Sequence, residues 1–331
     1  MKRTYILAVI AIMLTAVISC KSTKKTDTDE EPAIAVGPEF NADSAYAFCE
    51  KQCEFGPRTM NSEAHDKCGK WIVDKFKQYG CSVIEQNADL KGYDGTTLKS
   101  CNIIASYKPE LTTRVLLSAH WDSRPWADND PDSTNWHKPV MAANDGASGV
   151  AVMLEIARLL QKADSLNIGV DFVCFDAEDW GIPQWSDSED NGDSWALGAQ
   201  YWAETPHKEG YEARFGILLD MVGGTGSQFY QEGMSKQFAP SIVDKVWKAA
   251  RTAGYESSFP KEQGGFITDD HIPVNQKAKI PMIDIIPFYP NCQQSNFGPT
   301  WHTVSDTMEN IDKGTLKAVG QTVIQVLFSE K

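Results

Sequence analysis

Five short segments of the 331-residue sequence end an apolar run in a residue able to bind a metal or move a proton: LLSAHWD, AANDG, VCFDAED, ILLD and TWHT. They set out His120, Asp145, Glu178, Asp179, Asp220 and His302 along the chain. Carboxylate oxygens and imidazole nitrogens are the donors that zinc takes in hydrolase sites. A histidine or aspartate buried alone is costly, so several converging on one edge need a cation or each other. Taken singly, each also reads as a turn residue, a helix cap or half of an ion pair. Asn144-Asp145-Gly146 ahead of a helical stretch is a common turn and cap sequence.

The elements that must position these residues alternate between two periods. Helical spacing of apolar residues begins at Asn41-Ala42-Asp43 and stops at Phe55-Gly56-Pro57. It returns over Ser62–Tyr79, with Ser62 as N-cap and Gly80 as the stop. Further helices are expected at 147–162, 196–204, 234–253 and 311–328. Strand-like runs lie at 81–85, 98–107, 114–119, 169–175, 215–221 and 281–286. Near-continuous apolar strands between helices predict an α/β fold, with a mostly parallel central sheet covered by helices on both faces. In open sheets of this kind ligands bind beyond the carboxyl ends of the strands. LLSAH, VCFDAE and ILLD each put their polar residue at that end.

Lys2 and Arg3 precede an apolar run, residues 5–18, too short to span a bilayer comfortably. The run leads into Val17-Ile18-Ser19-Cys20, which resembles the bacterial lipobox. Residues 1–19 are therefore expected to be a signal peptide. Cys20 is the expected lipidation site, and residues 20–40 a polar tether to a single domain over 41–331. That arrangement predicts an exported lipoprotein, anchored in a membrane and facing the periplasm. Seven further cysteines are an odd number, so at least one thiol stays free; Cys174, inside DFVCF, is the best candidate for a buried one. A net charge of −14 excludes a nucleic-acid backbone as partner.

Six segments carry a family resemblance: HWDS, the NDGASGVAVMLE helix start, Glu178-Asp179, LLDMVG, DDHIP and WHT. Together with FGPR at Phe55–Arg58 they resemble the zinc-dependent glutaminyl-peptide cyclotransferases, or glutaminyl cyclases, across residues 45–328. That family shares the fold of the zinc aminopeptidases, a zinc exopeptidase-like fold. The resemblance implies that Asp145, Asp179 and His302 hold one zinc ion and that Glu178 is the acid/base carboxylate. It implies that Asp270 hydrogen-bonds in the site, that Trp185 lines the substrate pocket and that Trp301 abuts the zinc histidine. Animal members have Glu-Glu where this chain has Glu178-Asp179, so one zinc carboxylate here has a shorter arm.

His120 and Asp220 stay open between two roles. They either form a hydrogen-bonded set beside a single zinc, with Asp122 orienting the imidazole, or hold a second metal bridged by Asp145. The activity implied is conversion of N-terminal glutamine in peptides or proteins to pyroglutamate, with release of ammonia. A zinc aminopeptidase and a non-catalytic binding lipoprotein are the alternatives. His65, His137 and His207 are expected as solvated surface histidines, and His271 as structural.

Overall fold

The apolar runs do become interior strands. The computed structural model describes residues 34–163, 165–189 and 192–331. The signal segment, Cys20 and most of the expected tether lie outside the described residues. Six strands form one sheet: β1 (Ser82–Lys91), β2 (Thr97–Tyr107), β3 (Arg114–His120), β4 (Gly169–Phe175), β5 (Gly216–Leu219) and β6 (Met282–Ile285). Their order is β1-β2-β4-β3-β5-β6. β1, β2 and β4 pair antiparallel, and β4, β3, β5 and β6 pair parallel. The expected mixed, mostly parallel sheet is therefore what forms.

The period of two in these strands sorts side chains between two cores. Val115, Leu117 and Ala119 of β3, with Val170, Phe172 and Cys174 of β4, face the larger one. It is closed by α1 (Ala42–Glu54), α2 (Glu63–Gln78) and α3 (Ala147–Leu160). Leu116, Val173 and Phe175 face the smaller core, closed by α4 (Leu197–Glu204) and its Trp202. The remaining helices are α5 (Gly233–Phe238), α6 (Pro240–Thr252), α7 (His271–Pro273) and α8 (Lys313–Ser329), of which α6 and α8 also close the larger core. α7 runs into a π turn at Val274–Ala278.

Ser62 caps α2 as expected, its hydroxyl accepting the His65 amide at 3.1 Å. The single helix expected over 234–253 is two helices. Pro240 has no N–H to donate and takes the first position of α6, while Ala239 (φ −141°) breaks the path. The compact unit begins at Ile34, earlier than residue 41. Residues 34–40 lie along α8: Gln325 accepts the Val36 amide at 2.8 Å, and Gln321 accepts the Phe40 amide at 2.9 Å. The seven described cysteines are free thiols; Cys174 is fully buried, which pushes its thiol pKa up.

The close seating of α3 on the sheet sets where Asp145 sits, and it depends on Gly149. A β-carbon there would meet the Leu219 carbonyl oxygen at 2.1 Å and the Ala119 β-carbon at 2.8 Å. Gly149→Ala is expected to cost about 1–3 kcal/mol of stability, as overpacking does, seen as a lowered Tm. An unchanged Tm would contradict this packing.

Candidate metal centre and pocket

β3 ends in His120, β4 runs into Asp176-Ala177-Glu178-Asp179, and β5 is followed by Asp220. Sharp backbone turns aim these residues. Ala142, Ala177, Met221 and His302 all have left-handed φ, between 50° and 55°, a geometry that costs a non-glycine residue about 1–2 kcal/mol. Buried side chains hold the turns in place. Arg58 donates to the carbonyls of Trp121, Met141 and Ala142 at 3.2, 2.8 and 2.7 Å. Asp306 accepts the amides of Asn144 and Asp145 at 2.8 and 3.0 Å. Asp122 accepts those of Glu178 and Asp179, both at 3.1 Å.

Asp145, Asp179 and His302 converge, with one donor atom of each within 4.8 Å of the others. His302 Nε2 lies 3.2 Å from Asp179 Oδ1 and 3.5 Å from Asp145 Oδ2. Asp145 Oδ2 and Asp179 Oδ2 are buried and accept no hydrogen bond. Two orphaned carboxylate oxygens and an imidazole form a donor set that fits zinc. His120, Asp145 and Asp220 form a second such group: His120 Nε2 is 3.0 Å from Asp145 Oδ1 and 3.2 Å from Asp220 Oδ1. Asp145 belongs to both groups. His120 Nδ1 faces Asp122 Oδ1 at 3.4 Å, so three carboxylates surround this ring.

Two residues that sequence reasoning missed tie the first group together. Arg124 is fully buried and bonds Asp128 through two nitrogens, at 2.7 and 2.6 Å. It also reaches Asp179 Oδ1 at 3.3 Å and the Gly181 carbonyl at 3.3 Å. Asp128 in turn faces His302 Nδ1 at 3.5 Å. One guanidinium therefore orients one zinc-type ligand directly and another through a carboxylate. The loop carrying them has no periodicity to mark it; the crowding of charge just after HWDS was the only signal.

Asp145, Glu178, Asp220 and His302 border a cavity of about 470 Å³, with Trp195, Phe297, Trp301 and Asp269 also on its walls. Trp195 and Trp301 flank the His302 ring at 6.0 and 3.8 Å between centroids. Trp185 is not a wall of this cavity. It stacks on Trp136 at 6.2 Å instead, and the aromatic that reaches the cavity is Trp195, ahead of α4. Of the acid pair in DDHIP, Asp269 lines the cavity, whereas Asp270 is fully enclosed with both carboxylate oxygens unbonded. Consecutive residues entering α7 point in different directions, so only the first of the pair reaches the cavity.

Burial, then the adjacent Asp179 charge, raises the Glu178 pKa well above its ordinary value; Asp269 and Asp270 add to this and His120 opposes it. Burial, with Asp220 beside it, pushes Asp269 up to about 7. Burial alone would raise Asp145 too, but its bond to His120 and the charges of His120, His302 and Arg124 hold it low.

Among the remaining histidines His137 is exposed, as expected, and His207 is half-buried, accepting the Trp202 indole N–H at 3.2 Å. His271 is enclosed and faces Glu232 at 3.3 Å. His65 is not a surface residue: it is buried against Trp121, with Nε2 2.9 Å from Asp176. Removing the guanidinium by Arg124→Met should weaken zinc binding about 10–100-fold, the usual effect of losing a partner that orients a ligand. Competition with a chelator measures this; unchanged affinity would remove Arg124 from the centre.

Comparison with known proteins agrees with this geometry. The model of peptidase family M28 matches residues 102–327. The solved structure of Bacteroides thetaiotaomicron glutaminyl cyclase bound to N-acetylhistamine is 53% identical, with a TM-score of 0.87, covering 89% of this chain and 100% of that one. Aminopeptidase YwaD of Bacillus subtilis is 29% identical over 283 residues, 82% of this chain and 54% of that protein. The glutaminyl-peptide cyclotransferase of Bothrops jararaca is 28% identical over 259 residues, 69% of this chain and 65% of that protein. The chain thus spans between half and two thirds of the length of these two curated relatives. The chain belongs to peptidase family M28.

Proposed function

We propose that this protein is a zinc-dependent glutaminyl-peptide cyclotransferase, acting on peptides and proteins with N-terminal glutamine to form pyroglutamate and ammonia. The observation that carries this reading is Glu178 on the wall of an aromatic-lined cavity beside a zinc-type donor set, with Asp269 also on that wall. The 53% identity to a glutaminyl cyclase of solved structure supports it. Asp145, Asp179 and His302 would hold the zinc, which when bound would supply a Lewis acid for the substrate's side-chain carbonyl.

The reaction is intramolecular. The substrate's α-amine forms the new C–N bond to the carboxamide carbon (Cδ) of its own side chain, and that carbon's bond to the side-chain nitrogen breaks. Glu178 accepts the proton that the amine sheds and delivers it to the departing nitrogen, which leaves as ammonia. A pKa held well above the usual carboxylate value suits a group that must both take and return a proton. Asp269, raised to about 7, is a second carboxyl able to hold a proton at the cavity. Trp195, Phe297 and Trp301 restrict the space to a compact side chain and limit water beside it. Ring closure needs no enzyme nucleophile, and holding the two reacting ends together supplies much of the acceleration.

A zinc aminopeptidase is the second reading. His120 and Asp220 favour it, because with Asp145 they form a second group able to hold a metal. A binding protein without catalysis is disfavoured by the full complement of donors and acid/base groups. We also propose export and anchoring in a membrane through lipidated Cys20, facing the periplasm; the basic start, apolar run and lipobox-like Val17–Cys20 support it.

A glutamine-initiated peptide given to the purified protein should lose one ammonia by mass, and a chelator should stop the reaction. Loss of a whole residue would instead establish the peptidase, and metal analysis should find one zinc per chain rather than two. Glu178→Gln should keep its zinc while kcat falls about 10²–10⁴-fold. Because Glu178 must be ionised to take a proton, kcat/KM of the wild type should fall as pH drops through a value above 4.5, its ordinary pKa. An acid limb unchanged in Glu178→Gln would refute the assignment. Cys20→Ser should move the protein from the membrane fraction to the soluble fraction of lysed cells.

A further inference from the structure

Ala177 is fully buried and left-handed at φ 53°, and it is the turn that directs Glu178 into the cavity. Three consecutive amides follow β4, and two buried carboxylates accept all of them. Asp122 takes Glu178 and Asp179, as described above. Asp176 takes Ala177: its Oδ1 accepts that amide at 2.9 Å, while its Oδ2 accepts the Cys101 amide of β2 at 2.6 Å. Asp176 Oδ1 also lies 2.9 Å from His65 Nε2. An aspartate buried to this degree needs its oxygens bonded, and here every bond goes to the turn, to the neighbouring strand or to one imidazole.

His65 is itself fixed. It projects from the first turn of α2 and stacks on Trp121 at 4.0 Å with a 22° tilt. Trp121 is pinned from two sides. Its indole donates to the Cys101 carbonyl at 3.1 Å, and α2 approaches so closely that a β-carbon on Gly69 would meet the ring at 2.8 Å. His65 and Trp121 also line a groove of about 580 Å³ between α2 and the β1–β2 hairpin, separate from the cavity that holds Glu178. The imidazole thus reaches the catalytic turn from behind.

We propose that His65 and Asp176 are positioning residues for Glu178: the imidazole holds the Asp176 carboxylate where it locks the left-handed turn at Ala177. The inference rests on the cyclotransferase reading for its kinetic test, and its structural test is independent of activity. His65→Ala removes the donor, whereas His65→Gln can present an amide N–H in its place. Asp176→Asn puts an N–H where one of the amides of Ala177 and Cys101 must be accepted.

In folded, zinc-loaded protein, His65→Ala should lower kcat about 10-fold, and Asp176→Asn about 100-fold, as misplacing a reacting group by about 1 Å does. KM and zinc content should stay within about twofold and His65→Gln should recover most of the loss, since uniform binding and metal are untouched. Amide hydrogen exchange at residues 177–179 should accelerate in His65→Ala and return towards wild type in His65→Gln. Unchanged kcat and exchange in His65→Ala, or a glutamine variant as impaired as the alanine variant, would overturn the proposal. Should Asp176→Asn not fold, the His65 pair decides alone. Should wild type leave glutamine peptides intact while the exchange pattern holds, the positioning role stands and the cyclotransferase reading falls.

Discussion

Too many buried carboxylates share one sheet edge for all of them to be charged without compensation, and the rest of the structure follows from that constraint. Asp122, Asp145, Asp176, Asp179, Asp220, Asp269, Asp270 and Asp306 are all at most 7% exposed. The buried bases near them are His65, His120, His271, His302, Arg58 and Arg124. Isolated ionised carboxylates do not persist in such surroundings. The protein compensates in three ways. Asp122, Asp176 and Asp306 accept backbone amides of the very turns that carry Glu178 and Asp145. Burial first drives Glu178, Asp269 and Asp270 towards the protonated form, and the neighbouring charge that adds most is Asp179 for Glu178, Asp220 for Asp269 and Asp269 for Asp270. Asp145 and Asp179 each keep an unbonded oxygen beside His302, and there a cation is the remaining answer.

The first of these devices explains why backbone strain gathers where it does. Of the eight left-handed non-glycine residues among the described residues, Ala177, Ala196, Met221 and His302 sit at or beside cavity walls, and Ala142 lies three residues before Asp145. Each bends the chain abruptly past a strand or turn, which is how side chains from separate loops arrive at one point. Such geometry survives only where its surroundings over-determine it. Arg58, between α1 and α2, restrains Ala142, and Asp176, directly after β4, restrains Ala177.

That division also separates what was legible in the sequence from what was not. The six strands and most helices could be read because burial imposes periods of 2 and 3.6 on side chains. His120, Asp145, Asp179, Asp220 and His302 stood out because an ionisable residue ending an apolar run breaks the pattern that burial otherwise demands. The resemblance pointed to Trp185, but spacing along a loop carries no information about its path; Trp195 reaches the cavity only after the chain has folded back ahead of α4. Asp269 and Asp270 are chemically identical neighbours, and only the entry into α7 decides which one faces the cavity. Arg124, Asp128 and His65 act through other side chains, so nothing in their own local sequence distinguishes them from solvated residues. Pro240, by contrast, was a legible break that the apolar spacing on either side of it masked.

Asp145 is the point where the two enzymatic readings part. One oxygen lies 3.0 Å from His120 and the other 3.5 Å from His302, so the same carboxylate serves both potential metal groups. A metal between His120, Asp145 and Asp220 would have to displace the contacts that now bind the ring to both carboxylates. Those contacts are charge-assisted, since burial opposes protonation of His120 but its bonds to Asp122, Asp145 and Asp220 raise its pKa well above the ordinary value. The same ring restrains Asp145, whose other oxygen faces His302. In the single-zinc reading the Glu178 carboxyl would face one metal and a pocket of aromatic rings, and a substrate that carries its own nucleophile would need no metal-activated water. Occupancy of the His120–Asp145–Asp220 group therefore separates ring closure from hydrolysis.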